Sequence, residues 1–218
     1  VFAAEATGPI KTKLHPRLST SAKWIWSTYL VLTIACILSY YVAGMGLFDS
    51  FNYAMTTTAT GGFSTHNTST EFFHSPSLEY ICTFFCFLSG VNFTLLYAAV
   101  IKFKIKELFR NSEFRFYIFL VTVFSIFIMV ELIVMRNYDI EHAFRSAIFQ
   151  VVSFITTTGL FNDDAALWPH VTWVVLSMCM FIGACSGSTS GGLKCIRGVI
   201  LLRMVKNEFR QILHPNAV

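Results

Sequence analysis

Two short segments rich in threonine and glycine decide the fold of this chain: Thr58-Ala59-Thr60-Gly61-Gly62-Phe63 and Thr156-Thr157-Thr158-Gly159-Leu160-Phe161. Each segment follows a short amphipathic stretch and stands between two apolar runs, so the same order of features occurs twice. Self-similarity at a fixed spacing is the sequence signature of a repeated structural unit. The sequence therefore predicts two copies of one unit. Each unit consists of a helix, then a short helix that leads into a Thr/Gly strip, and then a second long helix.

The apolar runs around these strips have the length of membrane spans. Of the 218 residues, 55% are hydrophobic and 13% are charged, whereas soluble domains carry about 25% charged residues. A membrane-crossing helix needs about 20 apolar residues, and the runs that come near this length are 24–48, 80–101, 116–135 and 171–182. The first two runs contain no Lys, Arg, Asp or Glu, and the third contains only Glu131. We therefore predict an all-α integral membrane protein.

The position of the charges predicts how the chain is oriented. The net charge of +4 is concentrated before the first run, between the second and third, and after the fourth. By the positive-inside rule these segments face the cytoplasm, which explains the basic charge without a nucleic-acid partner. The predicted parts are a basic cytoplasmic segment at 1–23, a first repeat at 24–110, a second repeat at 111–206 with a broken last helix, and a cytoplasmic tail at 207–218.

The cysteines, the histidines of the outer loops and Glu131 do not form a recognisable metal or disulfide pattern. The six cysteines lie in or beside apolar runs, where buried free thiols are the commoner interpretation: Cys36, Cys82, Cys86, Cys179, Cys185 and Cys195. The histidines predicted to lie outside lack zinc-type spacing: His66, His74, His142 and His170. Glu131 is interpreted as a paired carboxylate or one at the membrane interface rather than an ion ligand.

Each Thr/Gly strip is suited to hold a cation. Asp49 and Asp139 are predicted to cap the N-termini of the two short helices. Each helix then ends at its strip, so the partial negative charge of the helix C-terminus faces the strip. Backbone carbonyls in such a strip can replace the water shell of an ion. The alternative is an ordinary turn in an outer loop, but two strips in matched surroundings favour a filter. We predict extended, pseudo-symmetric strips that approach one axis, with Gly159 matched to Gly61 or its neighbour Gly62.

A third segment interrupts the last apolar run: Gly183-Ala184-Cys185-Ser186-Gly187-Ser188-Thr189-Ser190-Gly191-Gly192-Leu193-Lys194. Glycine costs about 1 kcal/mol relative to alanine inside a helix, so the four glycines at 183–192 predict two helices separated by an irregular loop. The alternative is a continuous helix with a close-packing face of small residues. The matching residues 89–94 of the first repeat contain fewer small side chains. The break is therefore predicted only in the second repeat.

These segments resemble motifs of the Trk/Ktr/HKT superfamily of potassium transporters, with bacterial TrkH the most similar subunit. Residues 59–65, 156–161 and 183–194 look like the second filter strip, the third filter strip and the intramembrane loop of that family. The resemblance covers essentially the whole chain. A complete member has four M1-P-M2 repeats (helix, re-entrant pore loop, helix) around one pore. The resemblance therefore implies that this chain supplies the middle two and forms half of a potassium-channel-like pore.

The same resemblance implies ligands and partners. K⁺ is the transported ion, held at residues 58–63 and 156–161, and no cofactor is predicted in this chain. The loop at 183–192, with Lys194, would obstruct the pore until a cytoplasmic partner moves it, although Lys194 also suits an ordinary anchor at the inner membrane surface. The implied setting is the bacterial inner membrane. The implied assembly is a homodimer with a cytoplasmic nucleotide-binding regulatory subunit of TrkA type.

Three functional classes are compatible with a membrane protein of this size. The leading hypothesis is potassium uptake through a gated, channel-like pore, and the alternative is a proton- or sodium-coupled symporter. A coupled carrier usually needs ionisable residues at mid-membrane, and the first two runs have none. An intramembrane enzyme would need a nucleophile with a base, or a metal set, within the spans. The sequence contains no such group, so an enzyme is not predicted.

Overall fold

The computed structural model describes residues 18–100, 103, 105–163 and 168–213. Residues 1–17 of the predicted basic segment and residues 214–218 of the predicted tail lie outside these ranges. So do three charged residues of the predicted loops: Lys102, Lys104 and Asp164.

The described residues form helices joined by turns and loops, and these ranges contain no β-strand. In chain order the helices are α1 (Leu18–Val42), α2 (Leu47–Thr58), a 3₁₀ helix (Ser69–Phe73), α3 (Pro76–Ser89), α4 (Phe93–Val100), α5 (Ile105–Arg110), α6 (Ser112–Arg136), α7 (Ile140–Ile155), α8 (His170–Ile182) and α9 (Cys195–Leu213).

The helices repeat one arrangement, as the sequence predicts. In the first repeat α1 packs on the short helix α2, and in the second α6 packs on the short helix α7. A strip follows each short helix, and α3 or α8 follows each strip. The repeats are joined because α3 of the first packs against α7 of the second. The core between them holds fully buried side chains of both repeats, including Tyr53 and Phe149.

The long helices have the character of membrane spans. Within the described ranges, Ala22–Val42 of α1 and the whole of α6 are long and apolar enough to cross a membrane. Helices α3 and α4 pass the same test only when they are taken together, and the chain bends by 109° at the break between them. Counted as one broken span, this pair is the third candidate. Helix α8 is a shorter apolar helix. This all-helical membrane architecture confirms the predicted fold class.

The first repeat contains a break that the sequence analysis did not predict. The run at 80–101 was expected to be one helix, but α3 ends at Ser89 and α4 begins at Phe93. Asn92 explains the restart, because its Oδ1 accepts hydrogen bonds from the backbone N–H groups of Thr94 (2.8 Å) and Leu95 (3.4 Å), as a helix N-cap does. The prediction that only the second repeat is broken was therefore wrong.

The predicted aspartate caps are also corrected. Gly46, not Asp49, is the N-cap of α2, and Asp49 lies in the first turn. Its Oδ1 accepts a hydrogen bond from Thr65 Oγ1 at 2.7 Å, and its Oδ2 lies 3.5 Å from His66 Nε2. Asp139 is the N-cap of α7, but its side chain makes no capping hydrogen bond. Both acidic groups still lie near the positive end of a helix dipole.

The structure also bears on the interpretations of the cysteines and of Glu131. All six cysteines are free and buried. In the described ranges no group of three His, Cys, Asp or Glu side chains could hold a metal. Glu131 is paired, since Thr172 Oγ1 donates to its Oε2 at 2.8 Å and so links α6 to α8.

Gly90 is the tightest point of the first break. Its φ of −76° suits any residue, but an added Cβ would lie 2.6 Å from Tyr117 Oη, 2.8 Å from Thr156 Cγ2 and 3.1 Å from Ala184 Cβ. These neighbours belong to α6, the end of α7 and the loop after α8. Gly90 therefore lets three elements meet at one place.

Replacing Gly90 by Ala is expected to lower the stability of the folded protein by about 1–3 kcal/mol, the usual cost of overpacking. Thermal unfolding of the purified protein in detergent measures the change. Gly198→Ala in α9 is the matched control, because its Cβ would contact only two ring carbons of Phe116, at 3.3 and 3.7 Å, and alanine favours the helix. Equal stability of the two variants would contradict the packing argument.

Candidate functional site

The two Thr/Gly strips have the same backbone geometry. Thr60 and Thr157 have left-handed φ values of 52° and 55°, and two residues later Gly62 and Gly159 have φ values of 74° and 81°. Gly159 therefore corresponds to Gly62. The match of Gly159 to Gly61, one of the two registers that the sequence leaves open, is wrong.

The strips begin later than predicted. Helix α2 continues through Thr58, and Ala59 caps it, while Thr156 caps α7. The next residue of each strip, with its left-handed φ, forms a turn. Irregular backbone without helical or strand bonding follows at 61–64 and 158–161. The expectation of extended backbone from residues 58 and 156 onward is therefore wrong for the first part of each strip, and the second part contains a left-handed glycine.

A hydroxyl group from each short helix holds the strip that follows it. Thr56 Oγ1 accepts a hydrogen bond from the backbone N–H of Phe63 at 2.8 Å. Ser153 occupies the matching position of α7, and its Oγ donates to the carbonyl oxygen of Leu160 at 2.8 Å. Both hydroxyl residues are buried. Each strip is thus fixed to its own helix C-terminus, where the partial negative charge of the dipole lies.

The two strips lie side by side. A Cβ added to Gly62 would stand 2.3 Å from the carbonyl oxygen of Thr158 and 3.5 Å from the Cα of Gly159. This closeness and the positive φ both require glycine at position 62. The first half of the chain and the second half therefore bring their strips to one place, although residues 62 and 159 are far apart in sequence.

The last apolar run is broken at the predicted segment. Helix α8 ends at Ile182, α9 begins at Cys195, and residues 183–194 form a loop of turns and bends. Gly183, Gly187 and Gly192 have φ values of 71°, 71° and 76°. These conformations are open to glycine at little cost, so the loop backbone takes a path that a helix cannot.

The loop lies against the helix-proximal ends of both strips. Thr189 Oγ1 donates to the carbonyl oxygen of Thr58 at 3.0 Å, and Thr60 Oγ1 donates to the carbonyl oxygen of Thr189 at 3.0 Å. In the second strip, Thr157 Oγ1 accepts a hydrogen bond from the backbone N–H of Gly191 at 2.6 Å. The predicted loop and both predicted strips therefore form one connected site.

The break in the first repeat holds the beginning of this loop. Asn92 Nδ2 donates to the carbonyl oxygen of Ser186 at 2.6 Å, and the backbone N–H of Phe93 donates to the carbonyl oxygen of Gly187 at 3.0 Å. Asn92 was not among the predicted site residues. Its position as a polar residue before a new apolar stretch is the N-cap signal that could have identified the break.

Glu113 is a second residue that the sequence analysis missed. It lies buried in the first turn of α6, where its Oε1 accepts from the backbone N–H of Ser186 at 2.5 Å and its Oε2 accepts from Ser186 Oγ at 3.2 Å. Lys194 Nζ, by contrast, donates to the carbonyl oxygen of Ser190 within its own loop. A buried carboxylate with two hydrogen bonds to one loop residue fixes that residue more strongly than neutral partners would.

Comparison with known proteins matches the whole of this site. A family model named TrkH and described as a cation transport protein matches residues 4–218. The Trk system potassium uptake protein TrkH of Escherichia coli K12 is 38% identical over 222 residues, which cover 100% of this chain and 46% of the relative. TrkH of Halomonas elongata is 36% identical over 219 residues, covering 100% of this chain and 45% of the relative. The chain thus spans about half the length of these relatives.

A solved structure has the same fold. The crystal structure of the potassium transporter TrkH from Vibrio parahaemolyticus superposes with a TM-score of 0.88 and 38% sequence identity, covering 94% of this chain and 44% of that one. Since the family model covers nearly every residue and the structural match is close, this chain belongs to the TrkH family of cation transport proteins.

Proposed function

We propose that this chain supplies two of the four repeats around a gated, potassium-conducting pore. The observation that carries the proposal is the contact between the two strips at Gly62 and Gly159, each strip standing at the C-terminus of a short helix. Two equivalent backbone segments that meet in this way suit neighbouring positions around one ion path. The names of the relatives, which are potassium uptake proteins, support potassium as the ion.

The strips supply groups that stabilise a cation. The C-terminal ends of α2 and α7 carry partial negative charge, and the carbonyl groups of the strips can replace the ion's hydration shell. We assign K⁺ binding to the backbone of residues 58–63 and 156–161. Since the described strips cover two sides of such a path, the other two repeats of the same subunit complete the ring.

The loop at 183–194 is proposed to be the gate. Its hydrogen bonds to Thr58, Thr60 and Thr157 support this role, because an ion that leaves the helix-proximal ends of the strips would meet the loop. Its glycines lower the cost of a second conformation. Lys194 adds a positive charge on the same side, half-buried beside Ser190.

Family membership supports the wider setting that we propose. The subunit lies in the bacterial inner membrane with both ends of this segment in the cytoplasm, which agrees with the basic charges at those ends. It acts as a homodimer, and a cytoplasmic nucleotide-binding subunit of TrkA type moves the gate. The lipid bilayer and the remaining repeats are the other partners.

Conduction and coupled transport predict different responses to ion gradients. Single-channel recording of a complete four-repeat subunit that carries this chain, with a potassium gradient and no proton or sodium gradient, is expected to show current at channel rates. Current that appears only with a proton or sodium gradient would establish the symporter instead. Absence of potassium movement under every gradient would contradict both functions.

A further inference from the structure

A buried polar cluster surrounds the end of the second strip that is remote from the C-terminus of α7. Asn162 Nδ2 donates to Glu79 Oε2 at 2.6 Å, and Asn162 Oδ1 accepts from Gln150 Nε2 at 3.2 Å. Glu79 Oε2 also forms an ion pair with Arg145 Nε at 3.2 Å. The exposed fractions are 7% for Glu79, 8% for Arg145, 6% for Asn162 and 0% for Gln150. We call these four residues the far-end cluster.

The far-end cluster connects the two repeats at the strip itself. Glu79 belongs to α3 of the first repeat, whereas Asn162 directly follows Phe161, the last residue of the second strip. The first repeat also holds the backbone of Phe161. Its carbonyl oxygen accepts from the backbone N–H of Thr70 at 3.0 Å, and its N–H donates to Ser69 Oγ at 3.1 Å.

The first strip is held differently. With Gly62 matched to Gly159, Thr65 takes the place of Asn162. Asp49 takes the place of Ser146, whose Oγ accepts a hydrogen bond from Asn162 Nδ2 at 3.5 Å. Thr65 Oγ1 donates to Asp49 Oδ1 at 2.7 Å, within its own repeat, and the Asp49 side chain is 23% exposed. Among the described residues, only the second strip has a buried carboxylate from the neighbouring repeat at its far end.

A buried ion pair of this kind is poorly explained by stability alone. Desolvation of two charges offsets much of their attraction, so such pairs contribute little net stability but favour one geometry. Removing the partner of a buried polar group, however, leaves that group unsatisfied at a large cost. Asn162 is therefore confined to one position relative to α3 and α7, and the carbonyl groups of the strip are confined with it.

We infer that Glu79 is a positioning residue for ion selectivity, acting through Asn162 on the carbonyl groups of the second strip. This inference rests on the proposed function, since it assigns a determinant of selectivity to the same pore. Glu79 itself does not contact the ion. It fixes the far end of the strip, while Ser153 holds the carbonyl group of Leu160, so the strip cannot relax around a smaller cation.

The test uses complete four-repeat subunits in proteoliposomes and compares potassium with sodium permeability. Asn162→Ala keeps the Glu79–Arg145 pair but removes the link to the strip. One unpaired buried polar group changes an equilibrium constant by about fivefold or more. We therefore expect the ratio of potassium to sodium permeability to fall at least about fivefold. Glu79→Gln keeps an acceptor for Asn162 without the charge, so it is expected to give an intermediate ratio.

Two further variants make the result decisive. Glu141→Gln is the matched control, because Glu141 pairs with the same Arg145 at 3.3 Å but does not contact the strip. The permeability ratio of this variant is expected to equal that of the unsubstituted protein. If Asn162→Ala fails to fold, Asn162→Leu has a similar size and offers no donor to Glu79, with the same expected loss.

The outcomes separate this inference from the proposed function. An unchanged ratio in a folded Asn162 variant would overturn the role of Glu79 while the pore remains. If the unsubstituted subunit itself failed to select potassium over sodium, the proposed function would be overturned before this inference is reached. A reduced ratio in Glu141→Gln, equal to that of Asn162→Ala, would assign the effect to Arg145 and contradict the role given to Glu79.

Discussion

Replacing Gly62 by Ala in a complete four-repeat subunit is expected to reduce potassium-over-sodium selectivity by more than about tenfold, the change that 1.4 kcal/mol produces. Two costs combine at this residue. A left-handed φ costs a residue with a Cβ about 1–2 kcal/mol, and the new Cβ would lie 2.3 Å from the carbonyl oxygen of Thr158. The carbonyl must turn away, and it is one of the groups proposed to bind the ion. Competition between potassium and sodium fluxes measures the loss.

Two nearby glycines provide the comparison. Gly61→Ala is expected to have a smaller effect, because the closest neighbour of its Cβ would be Thr56 Oγ1 at 3.3 Å, a side-chain atom. Gly159→Ser is expected to be intermediate, since its φ of 81° is unfavourable but its Cβ would meet only the Cα of Gly62 at 3.9 Å. If Gly61→Ala proved more harmful than Gly62→Ala, the register of the two strips would be wrong.

Deleting residues 185–190 is expected to raise potassium flux about tenfold or more in the absence of the cytoplasmic partner. The hydrogen bonds between the loop and the strips contribute about 0.5–1.5 kcal/mol each, and 1.4 kcal/mol corresponds to a factor of ten. The deletion removes Thr189, which makes two of these hydrogen bonds, and it removes part of the loop that we propose obstructs the pore. Uptake of potassium into proteoliposomes that contain the purified subunit measures the change.

A milder substitution controls for damage to the proposed filter. Thr189→Val keeps the length of the loop and removes only the hydroxyl that donates to Thr58, so flux is expected to rise less than in the deletion. Selectivity should stay unchanged in both variants. A folded, dimeric deletion variant whose flux remained at the closed level would show that the loop is not the barrier.

The sequence predicts the architecture well because long apolar helices and the Thr/Gly strips have strong local signals. Long apolar runs predict α1 and α6, which need no tertiary partner to be recognised. The repeated Thr/Gly strips predict two matched units, and the glycines at 183–192 predict the broken last helix. In each case a short stretch of chain contains the information, so the structure agrees with it.

The errors arise where packing decides between local alternatives. Because Gly61 and Gly62 are adjacent, the sequence allows either of them to match Gly159. The close approach of Gly62 to the second strip selects Gly62. The break at Gly90 was missed because an apolar run hides it until Asn92 acts as a cap. Glu79 was missed because its partner Asn162 lies 83 positions away, brought near only when α3 packs against α7.

The break at residues 90–92 has a consequence for how the chain could be divided. A cut between α5 and α6 would separate the two sequence repeats, yet it would leave the carbonyl of Ser186 without Asn92 and the backbone of Phe161 without Ser69 and Thr70. In hydrocarbon each unsatisfied backbone group costs several kcal/mol. One repeat inserted alone therefore lacks partners for its own backbone, and halves produced from separate genes would persist only by reassembling.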